Sequence, residues 1–341
     1  MANHMLNFDA DRYLRIQSGA VGLADEIDAL VRDALGSGVT NVVFAGAGGA
    51  GILMQPAASL LRERSTFPAQ VTMPAELVVT GSATLGRDSL VVIPSLSGTT
   101  AESLAALDHA KSAGAQVVVL TANGDSPLAR KADISLVNFA EDDTSCESFY
   151  VQSLLLALSV QAARGELEDH RAVVAELRRL PQLLLAAKSA FEPRARQLAE
   201  AIAADTWHIV TGAGNAWPEA FYYGMCILEE MQWIRTRPVH ASDFFHGTLE
   251  LVEPDVSVLL LKGEDATRPL AERVERFVSG LTDRLLVVDS ADVALPGISP
   301  STRGLVSPVV LAALLERVSA HVEALRDHPL TTRRYYRRVA Y

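Results

Sequence analysis

The chain has 341 residues, 49% of them hydrophobic, which is enough to bury a large core and fits one large or two ordinary domains. A formal net charge of −11 argues against nucleic acid or an anionic membrane surface as the main partner, although a local pocket can still take an anionic substrate. Two cysteines, Cys146 and Cys226, are too few for a disulfide framework. No basic-then-apolar leader opens the chain and no uncharged apolar run reaches the ~18 residues of a membrane helix, so a cytoplasmic protein is expected.

Residues 1–36 read as a helical segment ahead of the first clear strand, 41–45. That strand runs straight into Gly46-Ala47-Gly48-Gly49-Ala50-Gly51 and then a helix over 52–63. Apolar runs at 76–79, 89–94, 115–120 and 134–137 predict further strands, and a helix begins near Ala101. A helical, charge-rich stretch covers 151–204, after which the pattern restarts. Residues 207–210, 256–261 and 285–288 predict strands, with helices over 218–233 and 268–281. Short all-apolar strands alternating with amphipathic helices indicate an α/β protein built on parallel sheets covered on both faces. Phe44-Ala45-Gly46-Ala47-Gly48 is echoed by Val210-Thr211-Gly212-Ala213-Gly214, which points to an internal duplication. The chain therefore divides into a helical segment 1–36, a first α/β domain 37–165, a helical connector 166–204, a second domain 205–300, and a helix and tail 301–341.

The glycine-rich turns invite a dinucleotide reading, since Gly46, Gly48 and Gly51 fit the Gly-x-Gly-x-x-Gly frame. A nucleotide site of that kind also wants an acidic residue at the end of the next strand, about 20 positions on. Here that run ends in Thr80-Gly81-Ser82, and the second copy carries Trp217 in the third-glycine place. No nicotinamide cofactor is expected. The turn Ser95-Leu96-Ser97-Gly98-Thr99-Thr100 is more specific, because it follows a buried strand and opens a helix whose free N–H groups favour an anion. Four hydroxyls cluster there without lysine or arginine, which suits a phosphate monoester. A bare helix cap would need only one of them.

A second constellation lies in the restart. Glu230 stands at the end of an apolar helix, and His246 follows sixteen residues later (246 − 230) beside Gly247. A carboxylate against apolar neighbours and a histidine suit a reaction that moves protons twice, such as opening a sugar ring and then shifting a hydrogen between adjacent carbons. His240, Asp243 and His246 could be drawn as metal ligands, but polar loop residues beside a site explain them, so no metal is expected.

With these motifs the chain resembles double-domain members of the SIS (sugar isomerase) family, whose relatives include the isomerase half of glucosamine-6-phosphate synthase. The resemblance covers about residues 20–341 and rests on Ser-x-Ser-Gly-x-Thr at 95–100, Leu-x-Glu ending at Glu230, and His246-Gly247. It implies two doubly wound five-stranded parallel sheets, a phosphate held by Gly48, Gly49, Ser95, Ser97, Thr99 and Thr100, and Glu230 and His246 as the catalytic pair. It also implies a homodimer in which His246 completes the neighbouring subunit's site. Synthases and similar deaminases use a tail lysine, but the last lysine here is Lys262, and arginine forms no Schiff base at workable pH. The tail thus looks like that of deglycases acting on 6-phosphofructosyl-amino acids (Amadori products), where the substrate brings its own nitrogen and no cofactor is needed. Glu147, His240, Arg333 and Arg334 are candidates for the amine side or for tail contacts, as is the acidic run Glu141, Asp142, Asp143. Two departures stand out: Ala50 where deglycase relatives place a serine, and Leu96 where the synthase has a polar side chain. The alternatives are an amino-sugar-phosphate isomerase or deaminase and, less well supported for want of a basic DNA-binding segment, a sugar-phosphate sensor.

Overall fold

In the computed structural model, which describes residues 5–140, 146–336, 338 and 339, apolar strands alternate with helices as the pattern demands, and the chain falls into two units. The first spans Ala10–Pro181, and the second holds the described residues from Gln182 onward together with those before Ala10.

In the first unit β1 (Asn41–Ala45), β2 (Ala69–Thr72), β3 (Ser89–Pro94), β4 (Gln116–Thr121) and β5 (Ile134–Val137) form one sheet in the order β2-β1-β3-β4-β5. Every pairing is parallel. All six residues of β3 are buried, as a strand covered on both faces requires. Val43, Val91, Ile93, Val117 and Val119 pack with Leu107 and Ala110 of the helix Ala101–Ser112 into one core cluster. Strand order reverses between β1 and β3, and in open α/β sheets ligands bind in the crevice beyond the strand ends at such a reversal. The glycine turn leaves β1 at that point and the hydroxyl turn leaves β3.

The run 76–79, expected as a strand, is instead part of a helix, Pro74–Thr80. Pro74 sits in its first turn, where a missing N–H costs nothing, and Gly81 ends it with φ +67°. Its apolar look misleads, because Leu77 alone of the run is buried while Val79 is 86% exposed. The second strand is the preceding Ala69–Thr72, an edge strand whose half-exposed, partly polar residues carry little apolar signal.

In the second unit β6 (Trp207–Gly212), β7 (Arg235–His240), β8 (Ser257–Lys262) and β9 (Leu285–Asp289) pair in parallel in the order β7-β6-β8-β9. This sheet has four strands among the described residues, not the five expected. After β9 the chain enters a single 3-10 turn, Ser290–Asp292, and then the long helix Pro300–Arg326. β7 reads as polar in the sequence because it is an edge strand, the position that also tolerates Pro238. Ile209, Val258 and Leu260 pack with Phe244, Ala271 and Val274 beneath the helix Arg268–Val278. Pro300–Arg326 is long and apolar enough to cross a membrane, yet 83% of its apolar stretch is buried within the protein, as in a core helix.

Candidate functional site

The hydroxyl turn is shaped by close backbone approach. Gly98 has φ +65°, and a side-chain carbon there would lie 2.1 Å from Ser126 Oγ, so only glycine fits. The turn docks on the end of β4: the Ser95 N–H donates to the Leu120 carbonyl (2.9 Å), Ala122 N–H to Leu96 O (3.1 Å), and Leu128 N–H to Gly98 O (3.1 Å). Ser95 Oγ accepts from the Gly98 N–H (3.2 Å) and lies 3.4 Å from Thr100 Oγ1, while Ser97 Oγ and Thr99 Oγ1 are 2.9 Å apart. Thr100 occupies the N-cap of Ala101–Ser112 but makes no side-chain cap bond. The four hydroxyls are therefore gathered at a helix start without one being spent as its cap. Opposite, Gly46 and Gly51 press together, since a side-chain carbon on Gly51 would lie 2.1 Å from the Gly46 carbonyl oxygen. A carbon on Gly46 would also lie 2.8 Å from Pro94 at the end of β3, so the glycine turn and the hydroxyl turn are neighbours. Gly48 and Gly49 open the short helix Gly48–Ile52, which has no side-chain cap either.

Glu230 stands on a stretch of π-helix, Tyr223–Met231, that continues the α-helix Trp217–Tyr222. Such wide turns concentrate at functional sites, because they re-aim side chains that an α-helix would place elsewhere. The adjacent carboxylates part company there. Glu229 Oε1 accepts from the Thr236 hydroxyl (2.6 Å) and N–H (3.2 Å), which ties it to β7. Glu230 Oε1 accepts from Arg333 Nε at 2.8 Å. Trp233 follows in a left-handed conformation, φ +56°, a strained state for a bulky residue. The tail holds it: the His328 ring meets its edge at 4.4 Å and the Arg334 guanidinium lies 3.8 Å over its ring. Gln232 Nε2 also donates to the His328 carbonyl at 2.7 Å. The sequence offers Glu230 and Arg333 as separate candidates and does not show their pairing across 103 residues.

His246 sits exposed in the turn after β7, its N–H bonded to Asp243 O (2.9 Å), and its ring has no hydrogen-bond partner among the described residues. His240 ends β7 with Nδ1 accepting from the Ser242 N–H (3.1 Å) and its ring edge-on to Trp217 (5.6 Å). Burial holds its pKa below the ordinary value against the pull of Asp243. Glu147 lies in the first turn of Cys146–Ala163 and is fully buried, with Cys146 Sγ donating to it at 3.8 Å. Glu141, Asp142 and Asp143 lie outside the described residues. The structure thus gathers the hydroxyls with the glycine turn in the first unit, and Glu230 with Arg333 and Arg334 with Trp233 in the second.

The reversal point of the second sheet, between β6 and β8, is built differently. The turn after β8 carries Asp265, whose carboxylate accepts from the Asn215 N–H (2.8 Å), the Thr267 N–H (2.8 Å) and the Thr267 hydroxyl (2.5 Å). Neighbouring Glu264 is clasped by Arg303 through two bonds of 2.7 and 2.9 Å. A protein carboxylate takes the N–H groups that a free anion would need. Neither feature was foreseen, although Glu264-Asp265 in place of serines was visible.

The SIS domain family model matches residues 38–162. Fructosamine deglycase FrlB of Bacillus subtilis (strain 168) is 29% identical over 321 residues, 93% of this chain and 97% of that protein. Fructoselysine 6-phosphate deglycase of Escherichia coli (strain K12) is 29% identical over 251 residues, 70% of this chain and 68% of that protein. Among solved structures, a Bacillus subtilis protein provisionally named a phosphosugar isomerase superposes with a TM-score of 0.88 at 27% identity, covering 95% of this chain and 99% of its own. The C-terminal domain of glucosamine-fructose-6-phosphate aminotransferase from Francisella tularensis shares the fold, with a TM-score of 0.80 at 16% identity over 94% of this chain and 95% of that one.

Proposed function

Because residues 38–162 match the SIS domain model, we propose that the hydroxyl turn binds a sugar phosphate and that the chain is a deglycase cleaving a 6-phosphofructosyl-amino acid to glucose 6-phosphate and a free amino acid or amine. The observation that carries the reading is the turn itself: four hydroxyls beside a helix start whose N-cap threonine makes no side-chain cap bond. Ser95, Ser97, Thr99 and Thr100, with the amides of that helix and those of Gly48 and Gly49, hold the phosphate. His246 moves a proton between the anomeric hydroxyl and the ring oxygen as the sugar opens. Glu230 then takes a proton from C1 and returns one to C2 through an enaminol, leaving an imine between C1 and the substrate's own nitrogen. Water adds to that imine, the C–N bond breaks, and glucose 6-phosphate and the free amine depart.

The lysines support release of the substrate's nitrogen over a Schiff base to the enzyme. Each of the four is ion-paired: Lys111 with Asp133, Lys131 with Asp108, Lys188 with Glu316, and Lys262 with both Glu275 and Asp289. Burial works to lower the Lys262 pKa, but its two carboxylates hold it above the ordinary lysine value, which makes it a poor nucleophile. The names of the two deglycase relatives point the same way.

The test is product analysis. Incubation with a 6-phosphofructosyl-amino acid should yield glucose 6-phosphate, and Glu230→Gln and His246→Ala should each lower kcat by ~10²–10⁴-fold. Fructose 6-phosphate and ammonia from glucosamine 6-phosphate, with no turnover of the first substrate, would establish a deaminase in its place.

A further inference from the structure

We propose that Arg333 reads the amino-acid end of the substrate by exchanging carboxylates, pairing with Glu230 when the site is empty and with the substrate's α-carboxylate when it is filled. The inference rests on the deglycase reading and adds to it the residue that recognises the carboxylate of the departing amino acid.

At Glu230 geometry and chemistry conflict. Arg333 Nε lies 2.8 Å from Glu230 Oε1, with the arginine side chain only 10% exposed. A guanidinium at that distance favours the charged carboxylate and opposes the protonated form. Glu230, as the proton carrier, has to pass through the protonated form between C1 and C2. With Arg333 in place its carboxylate is a weaker base for the abstraction from C1. An α-carboxylate entering on the departing amino acid has the same chemistry as Glu230 and offers both oxygens to the planar guanidinium fork. Its arrival draws Arg333 off Glu230 at the moment a substrate is present.

The surroundings allow that exchange without dismantling the tail. Arg333 Nη1 donates to the Leu330 (2.5 Å) and Thr332 (3.1 Å) carbonyls, so the guanidinium is carried on its own stretch of backbone. That stretch is anchored independently, by Leu330 N–H to Glu323 Oε1 (2.9 Å), Gln232 Nε2 to His328 O (2.7 Å), and the packing of His328 and Arg334 on Trp233. None of these bonds involves Glu230. The ion pair can open while the tail stays docked, so Arg333 acts as a positioning residue for the base and a binding residue for the substrate.

The experiment compares 6-phosphofructosyl-glycine with 6-phosphofructosyl-methylamine, which differ by one carboxylate. In the unaltered protein the glycine adduct should be favoured ~10- to 100-fold in kcat/KM, as one charge-assisted contact allows. In Arg333→Gln the two values should converge, through a raised KM for the glycine adduct and a raised kcat relative to the parent for the methylamine adduct. Arg333→Lys should restore part of the preference, which a merely structural arginine would not predict. Equal kcat/KM for the two adducts in the unaltered protein overturns the proposal without need of a variant. So does a preference that survives Arg333→Gln intact. If neither adduct is turned over while glucosamine 6-phosphate is, the deglycase reading falls and this proposal with it. Loss of the preference alone leaves the deglycase reading standing.

Discussion

At Glu192 one carboxylate takes hydrogen bonds from Arg317 Nε (2.8 Å), the Leu6 N–H (2.9 Å) and His321 Nε2 (3.0 Å). Burial opposes its charge, but Arg317 and these donors outweigh that and hold its pKa below the ordinary glutamate value. A carboxyl with a depressed folded pKa contributes stability that is complete above its unfolded pKa and is lost as pH falls through the folded one. Glu192→Gln should therefore cost ~3 kcal/mol at pH 7, since fully buried Arg317 loses a charged partner and keeps only Glu316. In urea unfolding the gap between variant and parent should narrow as pH drops below 4.5, the reference glutamate value; a gap constant from pH 7 to pH 3 would refute the assignment. Residue by residue, the candidates that the sequence offered are those whose signal is local. The hydroxyls at 95–100 stand side by side in the chain, and Glu230 announces itself at the end of an apolar helix. Its pairing with Arg333, and that of Glu192 with Arg317, could not be read, because nothing local records which distant segment a side chain will meet.

Central strands were readable, and so were the edge strands β5 and β9, but the edge strands β2 and β7 were not. β3, β4 and β8 are unbroken apolar runs because helices cover both of their faces. β2 and β7 carry Gln70, Arg235 and Arg237 because one side meets solvent, and 76–79 mimicked a strand from within a helix. The π-helix escaped notice for another reason. Tyr223–Met231 carries an apolar helical pattern interrupted only by Gly224, and the widened turn shows in the divergent anchoring of Glu229 and Glu230. The hydroxyl turn makes the element-scale prediction. Gly98→Ala places a methyl at φ +65° against Ser126 and should displace the turn at a cost of ~1–3 kcal/mol. The expected signature is a KM for the phosphorylated substrate raised about 10-fold or more with a smaller change in kcat, since the lost contacts are made in ground and transition state alike. Unchanged KM with lowered melting temperature would assign the turn a purely structural role.

For the whole molecule, the parallel α/β class was legible, while the four-stranded second sheet among the described residues was not. The proposed homodimer with His246 serving the neighbouring subunit gives a direct prediction. Glu230→Gln and His246→Ala proteins, each inactive alone, should regain about a quarter of full activity when mixed and allowed to exchange subunits, because half the dimers then hold one intact site of two. No recovery in mixtures shown to have exchanged would place both residues in one subunit's site. Net charge enters at this scale too: −11 over the chain repels phosphate esters at long range, so their capture falls to local donors and slackens little with added salt.

The carboxylate of Asp265 has a consequence for how the two halves have diverged. Being covalently part of the chain, it faces the amides of Asn215 and Thr267 as an intramolecular ligand, at an effective concentration of at least ~mM. The turn after β8 thus holds its own permanent occupant. On the proposed reading the sugar phosphate is then left the hydroxyl turn of the first unit alone, and the second sheet is left to carry acid–base groups in place of a binding loop.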